Sequence, residues 1–100
     1  MSEDTWGFAP PPFQPEEALQ RLRRELRGLG LTERSGVFER AGLALVKAAV
    51  SQAHIEAAVV RKPSRNSPEW QTRTLKTSAE VRDFIQHLKK QLAQWSDRDD

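Results

Sequence analysis

The stretch Arg61–Lys76 carries the residue types best suited to binding an acidic ligand. It holds five cations against the single anion Glu69, a local charge of +4 in a chain whose net charge is +2. Cations concentrated on one segment are typical of a surface that meets a phosphate backbone. Trp70 adds a ring on which a base could stack, and Asn66 adds a hydrogen-bond donor. We therefore predict a nucleic-acid-binding hairpin and loop, with these contact residues: Arg61, Lys62, Arg65, Asn66, Trp70, Arg73 and Lys76.

The same segment also has a purely structural interpretation. Charged side chains that alternate along an exposed edge strand protect it from aggregation. Trp70 would then pack across neighbouring strands, while Pro63 and Pro68 would stiffen the two ends of the loop. Both interpretations predict a hairpin, and they differ in whether its cations have a ligand.

Catalytic and metal chemistry find little support in the sequence. The chain has no Cys, and its two imidazoles, His54 and His87, lie in no spacing typical of a metal site. The acidic pairs at the predicted helix starts are explained by the helix dipole. The five glycines form no phosphate-binding loop. We expect a protein without enzymatic activity, cofactor, metal or small-molecule substrate.

Composition bounds the size and the location of the protein. One hundred residues suffice for one small hydrophobic core, and 37% apolar with 30% charged residues is ordinary for a globular domain. No run approaches the roughly 20 apolar residues of a membrane span, and the N-terminus lacks the pattern of a secretory signal. The absence of Cys fits a reducing compartment. The sequence thus predicts a cytoplasmic protein with no membrane partner.

Residues 1–14 predict an extended, flexible arm, because they contain three consecutive prolines and no periodic pattern. Trp6, Phe8 and Phe13 are unusual in such a segment, since disordered tails are poor in aromatic residues. Either one or two of them pack back onto the domain, or the arm docks on another protein. The second possibility gives an alternative function, a protein–protein interaction adaptor or a self-associating structural protein, with an exposed Trp95 as a further contact.

Two helices are indicated at the ends of the domain. The first begins at Pro15, followed by acidic residues that complement the helix dipole, and its apolar stripe contains Leu19, Leu22, Leu26 and Leu29. The second begins with a capping box formed by Thr77 and Glu80. Its apolar face contains Val81, Phe84, Ile85, Leu88, Leu92 and Trp95. The polar residues 96–100 predict a frayed acidic tail.

The middle of the chain is harder to assign. Residues 31–42 admit a short helix or a short strand, and we favour a helical turn. Residues 43–60 fit a helical stripe but are rich in β-branched residues, and the polar cluster 51–54 favours a hairpin of strands near 44–50 and 55–62. With a third strand over 69–76, the expected fold is α+β in the order α-β-β-β-α. It has a three-stranded antiparallel sheet with both main helices on one face, within a single domain at residues 15–95.

Overall fold

The computed structural model describes residues 12–97, so most of the predicted arm and residues 98–100 of the predicted tail lie outside the described residues. The elements, in chain order, are α1 (Pro15–Gly28), β1 (Thr32–Arg34), β2 (Val37–Arg40), β3 (Leu43–Ser51), β4 (His54–Val60), β5 (Trp70–Leu75) and α2 (Ser78–Asp97). The strands form one antiparallel sheet in the order β1-β2-β3-β4-β5. The protein has an α+β fold, but the prediction of a three-stranded sheet is wrong because the sheet has five strands.

The two unpredicted strands come from residues 31–42, where the helical turn favoured by sequence is also wrong. Two-residue turns at Ser35-Gly36 and Ala41-Gly42 reverse the chain, and all four residues have positive φ, at 53°, 80°, 55° and 80°. Positive φ at both central residues gives a turn the twist of the flanking strands, so each pair closes a tight β-hairpin. Gly36 and Gly42 therefore bracket the short strand β2, which is the alternative that the sequence left open for residues 31–42.

The predicted hairpin within residues 43–60 is confirmed. β3 and β4 pair from Val46 opposite Val59 to Ser51 opposite His54, and β5 extends the sheet beyond β4. Gln52, with φ of 56°, occupies the turn between β3 and β4. The β-branched residues decide the outcome, since they favour a pleated surface over a helix.

Both helices pack on one face of the sheet. α1 contacts β3, β4 and α2, and α2 also contacts β5. One row of paired residues beneath the helices contains Phe38, Val46 and Val59, and all three are buried with both helices' apolar residues in one cluster. The predicted apolar face of the last helix is confirmed: Val81, Phe84, Ile85, Leu88, Leu92 and Trp95 are buried. The expectation of an exposed Trp95 is wrong, because that residue is only 8% exposed.

Polar contacts tie α1 to the sheet and cap the start of α2. Arg23 of α1 donates from Nε and from a terminal guanidinium nitrogen to Glu33 Oε1 of β1, at 3.1 and 2.9 Å. At the start of α2, the Glu80 N–H donates to Thr77 Oγ1 at 3.1 Å. The Glu80 carboxylate accepts from the Lys76 N–H at 2.6 Å, so only the Thr77 half of the predicted capping box is present. Within residues 12–97, neither helix has the length and apolar character of a membrane span.

The opposite face of the sheet, here called the open face, carries no helix among the described residues. Residues that stand opposite each other on adjacent strands point to the same face of the sheet, so a row of paired residues can be followed across all five strands on the open face. One row on it runs through Arg34, Val37, Lys47, Ala58 and Thr72. Arg34, Lys47 and Thr72 in this row are exposed to solvent.

Candidate nucleic-acid interface

Lys47 and Trp70 meet on the open face. The Lys47 Nζ lies 4.4 Å from the centroid of the Trp70 ring. Their strands, β3 and β5, are separated by β4, whose Ala58 stands opposite Lys47. Because Ala58 has only a methyl side chain, the lysine stem has room to cross β4, and Ala58 is only 4% exposed despite lying on a face without helices. The contact thus joins a cation and an aromatic ring on one exposed surface.

Trp70 also has a structural role. It stands opposite Val60, which is fully buried, and the half-buried ring packs against the hydrophobic cluster. β5 is an edge strand, and its central residues from Thr72 to Thr74 are exposed polar or charged side chains, as the structural interpretation predicts. One part of the Trp70 ring therefore packs against the core and stabilises the fold, while another part lies under the Lys47 ammonium.

The loop between β4 and β5 leaves the sheet at the end where Trp70 stands. Arg61 pairs with Glu69 through a backbone hydrogen bond of 3.0 Å and through an ion pair of 3.9 Å between Nε and Oε1. Both side chains of that ion pair are exposed, so it is weak. Lys62 and Arg65 are exposed and form no ion pair within residues 12–97. No acidic side chain in the described part of the chain neutralises these two cations.

Arg73 and Lys76 lie on a different side of the molecule. Successive residues of a strand point to opposite faces, so Arg73, three positions after Trp70, points to the helix side. It lines a shallow pocket with Asp83 and His87 of α2. Lys76 lines a depression beside the N-terminal turns of both helices, together with Phe13. The structure places the other five predicted residues at the Trp70 end of the sheet: Arg61, Lys62, Arg65, Asn66 and Trp70.

Two cations on the open face, Lys47 and Arg34, were not predicted as site residues from the sequence. Arg34 belongs to β1, which was not predicted, and its position in the row of Lys47 depends on strand register. Lys47 could have been found, because it is the only charged residue in β3, LALVKAAVS. A single charge in an apolar strand marks the face that meets solvent.

A small polar network occupies the open face beside this row. The Glu56 carboxylate contacts the His54 Nε2 at 2.8 Å and accepts a long hydrogen bond of 3.5 Å from the Thr74 hydroxyl. Glu56 is therefore engaged by neighbours on its own face. Across residues 12–97, no three His, Cys, Asp or Glu side chains are grouped so as to hold a metal ion.

We use the name Trp70 surface for the residues that combine on this side of the molecule. Its members are Arg34, Lys47, Arg61, Lys62, Arg65, Asn66, Trp70 and Thr72. It offers one aromatic ring on the edge strand β5 and five cations that extend from the loop beside that ring across the open face to the edge strand β1, with Glu39, Glu56 and Glu69 as acids on or beside this face. Cations and an aromatic ring are the side-chain types that contact phosphates and stack on bases in nucleic-acid-binding proteins.

Comparison with protein-family models, with curated proteins and with solved structures gives no match.

Proposed function

We propose that this protein is a non-enzymatic module that binds single-stranded nucleic acid on the Trp70 surface. The observation that carries the proposal is the contact between Lys47 and Trp70 on a sheet face that no described helix covers. Arg34 lies in the row of Lys47, and Lys62 and Arg65 lie in the loop beside Trp70. Single-strand binders combine aromatic platforms with cations that follow the backbone, and this surface has both.

Binding involves an exchange of partners at the Trp70 ring. A cation over an aromatic ring at an exposed site contributes about 0.5–1 kcal/mol, whereas stacking a nucleic-acid base contributes about 1–3 kcal/mol. Replacement of the Lys47 ammonium by a base is therefore favourable at the ring. The displaced ammonium is then free to pair with a phosphate, which adds a second favourable contact.

The proposed setting is the cytoplasm, where nucleic acid is accessible and thiols are kept reduced. A chain without Cys needs no oxidising compartment, because its stability depends on packing and not on disulfides.

The proposal is tested by fluorescence anisotropy with labelled oligothymidine and oligouridine, in parallel with a duplex of the same length. We expect single strands to bind the full chain at low salt with an affinity that falls as salt is raised. Replacing Trp70 by Leu keeps an apolar side chain and should weaken binding of single strands, because stacking is lost.

Arg73→Gln is the matched control. It removes a cation from β5, the strand that contains Trp70, but from the side of the sheet that faces the helices. Unchanged anisotropy at low salt and micromolar protein, for every oligonucleotide, would exclude this function. Equal losses for Arg73→Gln and Arg65→Gln would show that binding follows total charge and not the Trp70 surface.

A further inference from the structure

A shallow depression lies on the open face, in the middle of the sheet. Its volume is about 340 Å³, at the lower end of the range for small-ligand pockets. Small side chains form its floor, among them the exposed Ala49 and the buried Ala58. Lys47, Glu56 and Thr72 also line it. The small floor leaves room for a planar ring, and charged or polar groups surround that room.

The depression adjoins Trp70. Lys47 lines the depression, and its Nζ lies 4.4 Å from the centroid of the Trp70 ring. Thr72 follows Trp70 by two residues in β5, so it lies about 7 Å further along the strand on the same face. A nucleotide next to one that stacks on Trp70 would therefore lie over the depression.

Glu56 is the one acidic side chain among the described residues that line the depression. It lies two residues before Ala58 in β4, on the same face, and its side chain is 42% exposed. Its carboxylate contacts His54 Nε2 at 2.8 Å and the Thr74 hydroxyl at 3.5 Å. An ionised carboxylate accepts at about four positions, so these two contacts orient Glu56 and leave positions for a ligand that donates.

We propose that Glu56 selects bases that carry an exocyclic amine over thymine and uracil, which carry none. The selection rests on the proposed function, since it acts on a nucleotide beside the one stacked on Trp70. A carboxylate accepts a hydrogen bond from such an amine, as it does from the amino group of cytosine in DNA. Thymine and uracil instead present a ring N–H between two carbonyl oxygens, and those oxygens meet the carboxylate unfavourably. A phosphate in the depression would be repelled by the same carboxylate.

The experiment compares oligothymidine with an oligomer of 5-methyldeoxycytidine of the same length, by fluorescence anisotropy with the full chain at neutral pH. The two bases have the same size and the same methyl group, and they differ only at the pairing edge. We expect the 5-methyldeoxycytidine oligomer to bind about fivefold more tightly. In a chemical-shift titration, that oligomer should also shift the methyl signals of Ala49 and Ala58, which line the depression.

Glu56→Gln and Glu39→Gln form a matched pair of variants. Glu39 lies two residues after Val37 in β2, so both glutamates are on the open face, but only Glu56 lines the depression. Each variant removes one negative charge and should tighten the binding of both oligomers, because repulsion of phosphates falls. Glu56→Gln should also bring the two affinities close together, since an amide offers a donor as well as an acceptor and suits either base. Glu39→Gln should keep the difference between the oligomers.

Equal affinity of the unmodified chain for the two oligomers would overturn the selection by Glu56. If oligothymidine still bound and its binding still depended on Trp70, the proposed function would stand. A preference that persists in Glu56→Gln, or that Glu39→Gln removes to the same extent, would also overturn the role of Glu56. Tighter binding of oligothymidine by Glu56→Gln would show that this variant is folded. If neither oligomer bound the unmodified chain, the proposed function and the selection would both be wrong.

Discussion

The Lys47 Nζ lies 4.4 Å from the centre of the Trp70 ring although β4 separates their two strands. The lysine stem passes over Ala58, so one contact spans three neighbouring strands of the open face. This arrangement assigns two roles to Lys47, because its methylenes shield the sheet while its ammonium meets the ring. The two roles can be separated by substitution.

Replacing Lys47 by Met retains an unbranched stem and removes the charge. The free energy of unfolding should fall by no more than about 1 kcal/mol, the usual range for a cation–ring contact at an exposed site. The slope of log affinity for oligothymidine against log salt should become shallower by about 0.7, since one phosphate contact is lost. Urea unfolding and salt-dependent anisotropy measure the two effects. An unchanged slope would show that Lys47 does not reach a phosphate.

Arg65→Gln should reduce the same salt slope by about 0.7 without altering stability, because Arg65 is exposed and forms no ion pair within residues 12–97. Arg73→Gln should leave the slope unaltered, since Arg73 points to the helix side. The comparison is made by anisotropy over a series of salt concentrations. A larger effect from Arg73 than from Arg65 would place the ligand on the helix layer.

Gly36→Ala should destabilise the protein by about 1–2 kcal/mol. Gly36 has φ of +80°, and a side chain in that conformation is strained even though its Cβ would approach only the Ala48 carbonyl oxygen, at 3.8 Å. Gly28→Ala is the control, because Gly28 is the last residue of α1, has no positive φ, and would place an added Cβ in open space. That change should be neutral or stabilising by up to about 1 kcal/mol. Chemical denaturation measures the change in the free energy of unfolding for each variant. If Gly28→Ala destabilised the protein as much as Gly36→Ala, the positive φ of Gly36 would not explain the loss.

Phe84→Ala should lower the free energy of unfolding by about 3–5 kcal/mol, since the ring is 3% exposed within the cluster that joins α2 to the sheet. Guanidinium denaturation followed by circular dichroism measures the loss. For comparison, His87→Ala removes an exposed side chain three residues later on α2 and should change stability by less than about 0.5 kcal/mol. Similar losses for both variants would mean that α2 is held mainly by features other than its apolar face.

Arg23→Ala should reduce stability by about 1 kcal/mol, because it removes two hydrogen bonds to Glu33 that connect α1 to β1. The side chains are 32% and 20% exposed, so added salt should shrink the effect. Arg24→Ala, at the next position on α1, should be nearly neutral. Thermal denaturation at low and high salt tests both statements, and an effect of Arg23→Ala that does not depend on salt would argue against an electrostatic origin.

The long elements of this fold could be predicted because each contains enough residues to repeat its pattern. α2 combines a capping Thr77 with an apolar stripe over about four turns. β3 and β4 hold β-branched residues on both sides of a polar turn. β1 and β2 have only three and four residues, too few to show an alternation. The sequence signal for these two strands was confined to the turn dipeptides Ser35-Gly36 and Ala41-Gly42. Such dipeptides permit a tight hairpin turn but do not require one.

The candidate site was predicted less completely than the fold, because residues that are neighbours in sequence are not always neighbours in space on a sheet. Arg73 and Trp70 are near in sequence, yet strand alternation sends them to opposite faces. Lys47 and Trp70 are far apart in sequence, and register brings them together. Strand register depends on the positions of the turns and on the extra residue in β3 near Val46. Neither feature can be predicted from the distribution of charged residues along the sequence.

The sheet order has a consequence for the kinetics of folding. Every strand pairs with its immediate successor, so the sheet can grow hairpin by hairpin without closing a long loop. The two helices precede and follow all five strands, however, and still pack on each other. The segment of chain between the two helices contains the whole sheet, so bringing the helices together closes the longest loop in the fold and has the largest loop-closure entropy cost. We therefore expect the hairpins to form early and the helix pair to assemble last.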